Sequence, residues 1–326
     1  MRVKLTKKEE ILRYSLCPYR KQYDEFRDYW TPNLMFMHKK NHRSNVINTD
    51  ILGLRFNDVG KKIKGSIFDI KKNKNSLLVG SSVVLGIGSS NDKNTISSFL
   101  SNNNENYYNL GVRAYNQFQE IILFLSIFYK LKKINKIVIL SGMNDILLNY
   151  NKSMNKNFPG PIYWNNQFVN NMNNLSKQNN SLLNFFEFNQ NISKNKTLNI
   201  SLNEILLRNF SIWKLIEKSL NTKIYFILQP YLRWCKNYSV DEKKILDYTN
   251  LRSDNYIYKK VEKSYNKLRK LFKKTSESCG IKFYDSNAYL RENSTSKDFL
   301  FIDNVHLNDN GNKKIADFIK LISGRL

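Results

Sequence analysis

The chain has 326 residues, of which 41% are hydrophobic and 13% are aromatic, so it can bury a large core. Its 53 Lys and Arg residues outnumber the 27 Asp and Glu residues, and the formal net charge is +26. This composition excludes an intrinsically disordered chain and fits one α/β domain with additions, or two small domains.

The positive charge has two interpretations. It could attract a polyanion such as nucleic acid, an anionic membrane surface or an acidic polysaccharide. The sequence is also rich in Lys, Asn, Ile, Tyr and Phe and poor in Ala, Gly and Pro, a bias that AT-rich genomes produce. Its basic residues are spread out without a single motif. We favour the second interpretation and do not expect a nucleic-acid partner.

Cysteine usage and hydropathy indicate the compartment. Cys17, Cys235 and Cys279 are far apart and form no CxxC pair, which argues against a disulfide framework or a zinc site. Residues 1–16 are charged and lack the apolar segment of a secretory signal. The longest apolar run, 121–129, is too short to span a bilayer. We therefore expect a soluble protein of the cytoplasm, and the oligomeric state stays open.

Residues 1–75 are an N-terminal extension that we expect to pack on the core. The stretch 48–55 reads Asn-Thr-Asp-Ile-Leu-Gly-Leu-Arg, and polar residues on both sides of a glycine predict a turn or bulge. His38 and His42 are four residues apart, but metal binding needs more ligands than two histidines. No metal site is predicted there.

From residue 76 onward, strands and helices alternate. Short apolar runs predict strands at 76–79, 107–111, 136–141, 223–228 and 282–284. Helical patterns are found near 94–102, 115–133, 203–220, 256–278 and 311–324. This alternation is typical of an α/β fold, in which helices cover both faces of a parallel sheet.

A long insertion, residues 146–220, separates the third and fourth predicted strands. It is rich in Asn and contains aromatic pairs at 163–164 and 185–186. Long insertions at such connections often lie over a functional site, and a solvated loop is the alternative. The interleaved aromatic residues favour a folded cap.

Polar stretches follow the predicted strands, at the edge of the sheet where open α/β folds bind ligands. Acyl transfer from an ester requires a nucleophile, a base, a group that orients the base, and donors for the oxyanion. Ser82 can be the nucleophile, and His306 can be the base. Asp303, three residues earlier, can turn back and orient the imidazole. Asn144, two residues after the small Gly142, offers an amide donor.

Each of these stretches alone could be an ordinary turn with a capping side chain. Backbone N–H groups at Ser82 and in the loop after the second strand would add donors for an oxyanion. Ordinary turns do not explain why the stretches with Ser82, Asn144, Asp303 and His306 all occur in one chain, in this order and at strand ends. The residues therefore favour serine-based acyl chemistry.

The stretches resemble the sequence blocks of the SGNH hydrolases, also called GDSL-like esterases and lipases. The first block of that family has the form Gly-Asp-Ser-x-x-x-Gly. Residues 80–86 read Gly-Ser-Ser-Val-Val-Leu-Gly and match it with Ser81 in place of the Asp. The spacing to Gly86 selects Ser82 over Ser81 as the serine of the block.

The other blocks of the family are also present. Residues 142–145, Gly-Met-Asn-Asp, match the third block, and residues 303–306, Asp-Asn-Val-His, match the last. Residues 109–111, Asn-Leu-Gly, are similar to the second block, whose oxyanion Gly falls on Ala114. Ala keeps the backbone N–H, although a conformation with positive φ would suit Gly better.

The resemblance covers about residues 76–145 and 223–326. It implies a three-layer α/β/α, flavodoxin-like fold with a parallel sheet of strand order 2-1-3-4-5. It also implies a catalytic triad of Ser82, His306 and Asp303. The implied oxyanion hole consists of the N–H groups of Ser82 and Ala114 and the Asn144 side chain. The supporting positions are Gly80, Gly111, Gly142 and Asp145.

The function implied is a serine ester hydrolase that acts through a covalent acyl-enzyme and needs no metal or cofactor. Its substrates would be O-acyl esters, for example O-acetyl esters, of carbohydrates or small molecules, because the stretch 48–55 is similar to the leader of SGNH proteins encoded with surface-polysaccharide genes. An O-acyltransferase, in which a sugar hydroxyl replaces water, is the main alternative. A polyanion-binding protein with a degenerate site is a less favoured one.

Overall fold

The computed structural model describes most of the residues of the chain. They are residues 7–58, 64–69, 74–102, 104–131, 134–151, 154, 156, 159–178, 199–235, 237–252 and 255–324. Within these ranges, every helix is too short or too polar to cross a lipid bilayer. The three cysteines are unpaired.

The N-terminal segment, residues 7–58, begins with two helices and a β-hairpin. Its elements are α1 (Lys7–Leu16), α2 (Arg20–Glu25), β1 (Asp28–Thr31), β2 (Met35–His38) and β3 (Asn57–Asp58), and β3 pairs with β4 (Lys64–Gly65). In the antiparallel hairpin, Trp30 lies opposite Phe36. The turn predicted within 48–55 is present, because Asp50 Oδ1 accepts the N–H groups of Leu52 and Leu54.

A five-stranded parallel sheet forms the centre of the molecule. Its strands are β5 (Lys74–Gly80), β6 (Glu105–Gly111), β7 (Ile134–Ser141), β8 (Lys223–Leu228) and β9 (Lys282–Asp285). They lie in the order β6-β5-β7-β8-β9, all parallel, which confirms the predicted order 2-1-3-4-5. Leu77 and Val79 face one side of the sheet and Leu78 the other, and all three are fully buried, as expected for a sheet covered on both faces.

Helices cover both faces of this sheet and complete three layers. After the N-terminal segment they are α3 (Ser82–Leu85), α4 (Ile96–Leu100), α5 (Gln117–Ile127), α6 (Met143–Tyr150), α7 (Asn165–Gln178), α8 (Leu202–Leu220), α9 (Val240–Asn250), α10 (Asn255–Lys263), α11 (Tyr265–Ser278), α12 (Ser286–Asn293) and α13 (Asp309–Gly324). Apolar side chains of α5, α8 and α11 pack in the core on one face, and those of α4, α12 and α13 pack on the other.

Local sequence explains the long helix α8. Ser201 caps its N-terminus in a capping box with Glu204, and Asn221 ends it in a left-handed conformation. Leu206, Phe210 and Trp213 recur at helical spacing and are fully buried. Burial of each such side chain contributes about 2 kcal/mol, so α8 is held by its packed face.

Two helix predictions were wrong. The single helix expected at 256–278 is divided into α10 and α11, because Ser264 leaves helical geometry and its hydroxyl donates to the Lys260 carbonyl. The helix expected at 115–133 ends at Ile127 and continues as a 3₁₀ turn. After the N-terminal segment, helices α3, α6, α7, α9 and α12 were not predicted.

The described parts of the predicted insertion, 146–220, pack against different parts of the protein. Helix α8 packs in the core, whereas α7 meets the N-terminal segment, with the rings of Phe168 and Trp30 5.2 Å apart. Residues 179–198, with the aromatic pair at 185–186, lie outside the described residues. Closure of the insertion over the site stays a prediction.

Candidate active site

The turn after β5 brings Ser82 to the edge of the sheet. β5 ends at Gly80, and Ser82 is the first residue of α3. The Ser81 hydroxyl donates to Gln229 Oε1 at 3.3 Å, inside the protein. Ser82 Oγ instead lies 2.9 Å from Nε2 of His306, a residue 224 positions away in the chain. Of the two candidate serines, Ser82 therefore faces the histidine.

The loop that carries this histidine, residues 300–308, is closed by its own backbone. Phe301 and Leu307 form an antiparallel bridge. The Ile302 N–H donates to the His306 carbonyl at 2.9 Å. The Asn308 side chain donates to the Phe299 carbonyl, also at 2.9 Å. The histidine is thus fixed by a tight loop rather than by a long flexible segment.

Asp303 orients His306 through one of its carboxylate oxygens. Oδ2 of Asp303 lies 2.7 Å from His306 Nδ1, and Oδ1 accepts the N–H groups of Val305 and His306 at 2.9 and 2.8 Å. Because an ionised carboxylate only accepts, Nδ1 carries the proton and Nε2 is left to accept from Ser82 Oγ. The triad residues implied by the resemblance are therefore in hydrogen-bond contact.

The surroundings of Asp303 keep it ionised. Burial alone would raise the pKa of this carboxyl group, but His306, the Arg20 guanidinium and the backbone N–H donors outweigh burial. Together they hold the pKa of Asp303 well below its usual range. At neutral pH it is a carboxylate, the form that orients the imidazole.

Arg20 is a site residue that no sequence motif indicates. It lies on α2, and its Nη1 is 3.3 Å from Asp303 Oδ2. Its side chain is only 10% exposed, and its Nε is 3.6 Å from Asp24 Oδ1. The two partners, Arg20 and Asp303, are 283 residues apart, so no local pattern could have indicated the contact.

Ser82 lies in a segment that runs from Gly80 to Gly86, and Arg55 contacts the end of this segment that is farther from β5. Its side chain is fully buried and donates to the carbonyls of Leu85 and Gly86, where α3 ends, at 3.0 and 2.9 Å. It also pairs with Asp92 at 2.8 Å. The Tyr23 hydroxyl donates to the same Gly86 carbonyl at 2.9 Å. The stretch 48–55 marked this arginine in the sequence, but not its role.

Ser82, Ala114 and Asn144, which are predicted to bind the oxyanion, form the oxyanion region. Its backbone is strained at one position. Ala114 has a φ of +58°, in the left-handed region that disfavours side chains. Within the described residues, neither its N–H nor that of Ser82 donates to a protein acceptor. One N–H of the Asn144 amide donates to the Tyr115 carbonyl at 2.7 Å, which leaves its second donor for a ligand. The predicted donors thus stay available.

His38 supports this loop from the N-terminal segment. Its Nε2 accepts the Arg113 N–H at 3.1 Å, directly before Ala114. Burial, aided by the positive charge of Arg113, lowers the pKa of His38 to about 3. The imidazole is therefore neutral at physiological pH and can accept this hydrogen bond. A residue that was considered for metal binding in the sequence positions a backbone loop instead.

The supporting glycines lie where backbones approach closely. A Cβ atom at Gly80 would lie 2.3 Å from the Leu140 carbonyl oxygen. A Cβ atom at Gly111 would lie 2.0 Å from the Leu85 nitrogen. Gly142, directly before α6, has a φ of +104°, a conformation that favours glycine. These positions allow β5, β6 and β7 to present their loops side by side.

Asp145 lies beneath the oxyanion region and is fully buried. Its carboxyl group accepts the Gln117 N–H at 3.2 Å, at the start of α5. Burial raises the pKa of Asp145 to about 7, and burial also raises the pKa of nearby Glu120. The Glu120 carboxyl accepts the Ser141 hydroxyl at 2.7 Å. Asp145 therefore supports α5, next to the loop that carries Ala114.

Comparisons with known proteins give fold similarities alone. No family model and no curated protein matches the chain. A solved member of the lipolytic protein G-D-S-L family from Veillonella parvula is similar at 13% identity, over 78% of this chain and 100% of that chain, with a TM-score of 0.44. An alpha/beta hydrolase enzyme from the metagenome of Lake Arreo, Spain, has 10% identity over 79% of this chain and 98% of that chain, with a TM-score of 0.43. An acetyl xylan esterase has 12% identity over 77% and 100%, with a TM-score of 0.42. Because these values are low, the function has to be inferred from the site itself.

Proposed function

We propose that the protein is a serine hydrolase of the SGNH type that cleaves carboxylic esters through a covalent acyl-enzyme. The observation that carries the proposal is the pair of contacts from Ser82 Oγ to His306 Nε2, 2.9 Å, and from His306 Nδ1 to Asp303 Oδ2, 2.7 Å. A nucleophile, its base and the group that orients the base are thus in line. A polyanion-binding protein would not need this arrangement.

The reaction follows from the protonation states. Ser82 Oγ attacks the ester carbonyl while its proton passes to Nε2 of His306, and the negative charge collects on the carbonyl oxygen. The C–O bond to the alcohol then breaks, and the alcohol leaves with the proton from His306. Water repeats the sequence on the acyl-enzyme, which releases the acid and restores Ser82. Asp303 stays ionised and stabilises the imidazolium.

Three donors would stabilise the oxyanion. They are the N–H groups of Ser82 and Ala114 and the second amide N–H of Asn144. The first two have no protein acceptor in the described residues, and the third belongs to an amide whose other N–H is fixed on Tyr115. Donors held in place before the reaction do not have to reorganise during it. Removal of one such donor costs on the order of 10²–10³ in kcat.

The substrates that we propose are O-acyl esters of carbohydrates or of small molecules. An O-acyltransferase would use the same triad, with a sugar hydroxyl in place of water in the second half of the reaction. The products separate the two activities. Incubation with p-nitrophenyl acetate and an excess of a neutral sugar releases acetate from a hydrolase, whereas a transferase yields mainly the acetylated sugar.

A fluorophosphonate probe tests the nucleophile. We expect it to label Ser82, as read by mass spectrometry of the labelled peptide, and we expect Ser82→Ala to abolish labelling and hydrolysis of p-nitrophenyl acetate. Ser81→Ala is the matched control, since its buried hydroxyl donates to Gln229 and Ser82 is the serine in contact with His306. This control should keep its labelling. Labelling that survives in Ser82→Ala would refute the proposal.

A further inference from the structure

A cleft of about 590 Å³ opens between the N-terminal segment and α7. One wall is a face of the β1–β2 hairpin, where Asp28, Trp30 and Phe36 line the cleft. Trp30 and Phe36 lie directly opposite each other in the hairpin, so their rings are neighbours on that face. The other wall contains Trp164 and Gln167, and the rings of Trp164 and Phe36 are 4.8 Å apart.

The aromatic wall of this cleft is open to solvent. Trp30 is 48% exposed, which is unusual for a large aromatic side chain next to a cavity. Its ring is held by Phe168 of α7 at 5.2 Å, so it is fixed although it is exposed. A fixed, exposed aromatic face beside polar side chains is suited to a flat ligand that has both apolar and polar surfaces.

The charges around the cleft balance. Two carboxylates, Asp24 and Asp28, and two guanidinium groups, Arg27 and Arg113, line it, and the described lining contains no lysine. Arg113 pairs with Asp28 at 3.3 Å, and Asp24 lies 3.6 Å from Arg20. In a chain with a net charge of +26, a balanced lining argues against an anionic ligand.

Two residues of the cleft lining connect it to the candidate active site. Arg113, which lines it, directly precedes Ala114 of the oxyanion region. Asp24, which also lines it, contacts Arg20, and Arg20 contacts Asp303. A ligand in the cleft would therefore contact residues that adjoin the oxyanion region and the Arg20–Asp303 pair.

We propose that this cleft binds an uncharged sugar ring, which carries the scissile ester or accepts the acyl group. The C–H face of a pyranose is apolar and packs on an aromatic ring, while its hydroxyl groups pair with carboxylate, guanidinium and amide side chains. Trp30 supplies the aromatic face, and Gln167 and Arg27 supply exposed polar groups. A long acyl chain would instead need an unbroken apolar wall. The role of the sugar in the reaction rests on the proposed ester hydrolase, but binding of the sugar does not.

The test compares a sugar ester with an ester that has no sugar. Methyl 6-O-acetylglucopyranoside and p-nitrophenyl acetate are the two substrates, and the measured quantity is the ratio of their kcat/KM values. We expect Trp30→Ala to lower this ratio about tenfold, mainly through a higher KM for the sugar ester. Gln167→Ala should lower it roughly threefold. Tyr129→Ala removes an aromatic residue that is 69% exposed and does not line the cleft, and it should leave the ratio unchanged.

A binding measurement separates this proposal from the proposed reaction. Isothermal titration of the Ser82→Ala variant with cellotetraose needs no catalysis, and we expect binding that Trp30→Ala weakens. If the wild-type protein does not hydrolyse p-nitrophenyl acetate but cellotetraose still binds in this way, the proposed ester hydrolysis is wrong and the proposed sugar binding in the cleft is supported. An unchanged ratio in Trp30→Ala, or a preference for tetragalacturonate over cellotetraose, would overturn the assignment of the cleft to uncharged sugars.

Discussion

The 300–308 loop and the N-terminal segment both contact the triad, but different interactions hold them in place. The loop is closed by backbone hydrogen bonds between its own residues and by the carboxylate of Asp303. The N-terminal segment reaches the site through long side chains, with Arg20 on Asp303 and Arg55 on the end of α3. His38 adds a third contact, on the oxyanion region.

This difference separates residues that take part in the proposed reaction from residues that hold the site in place. A substitution of the triad carboxylate should change the reaction far more than the stability of the fold, because the backbone of the loop remains paired. A substitution of Arg55 should change stability first, since it leaves several buried acceptors without a donor.

Asp303→Asn should have the largest effect. An amide at this position presents a donor to His306 Nδ1, so Nε2 takes the proton and can no longer accept one from Ser82. We expect kcat for p-nitrophenyl acetate to fall by a factor on the order of 10⁴. Thermal unfolding, followed by circular dichroism, should show a loss of only about 1–2 kcal/mol, because the charged contact with Arg20 is lost while the backbone of the loop stays paired. A variant that keeps a tenth of the activity would show that Asp303 does not orient the base.

Arg55→Met should destabilise the protein by about 3–5 kcal/mol, because it leaves the carbonyls of Leu85 and Val46 buried without their donor and removes the cation that pairs with Asp92. Urea unfolding at pH 7 measures this loss. Arg43→Met changes an exposed arginine of the same segment and should cost less than about 1 kcal/mol. Equal losses in the two variants would contradict the role assigned to Arg55.

Arg20→Gln should have an intermediate effect, a loss of about 1 kcal/mol in unfolding free energy at pH 7. Arg20 helps to depress the pKa of Asp303, and a depressed carboxyl pKa stabilises the fold above the ordinary Asp value of about 4. The difference between wild type and variant should therefore shrink as the pH falls below about 4. Lys21→Gln, on the exposed side of α2, is the control. A difference that grows in acid would exclude this electrostatic role.

Ala114→Gly should have the smallest effect, and of opposite sign. Glycine adopts a φ of +58° without strain, so we expect a gain of about 0.5–1 kcal/mol in unfolding free energy. Ala288→Gly, within α12, is the matched control and should lose about 1 kcal/mol. Urea unfolding of both variants gives the two signs. A loss in Ala114→Gly would mean that the methyl group contributes packing that outweighs the strain.

The fold was predictable to the extent that burial leaves a local pattern. The strands of the sheet are apolar runs such as 137–140, and each was located to within two residues of its ends. The division between α10 and α11 was not predictable, because the apolar periodicity continues across Ser264. The hairpin of β1 and β2 was also missed, since Asp28–Thr31 has no simple alternation of buried and exposed residues.

The candidate site was predictable where its residues form short blocks. Ser82, Asn144, Asp303 and His306 each lie in a motif at the end of a strand or in a turn. Arg20 and His38 act through contacts with residues that are distant in the chain, and nothing in their own neighbourhoods indicates them. For Ala114 the sequence raised the question of a positive φ, and the structure answers it with +58°.

The contact between Arg20 and Asp303 has a consequence for the order of folding. The two residues are separated by 283 positions. Arg20 is therefore synthesised early, but its contact with Asp303 can form only near the end of synthesis. Non-local contacts of this kind slow folding, since the loop between them has to close first. During synthesis the N-terminal segment can dock on the end of α3 early, through Arg55. The triad becomes complete only when the 300–308 loop has emerged from the ribosome.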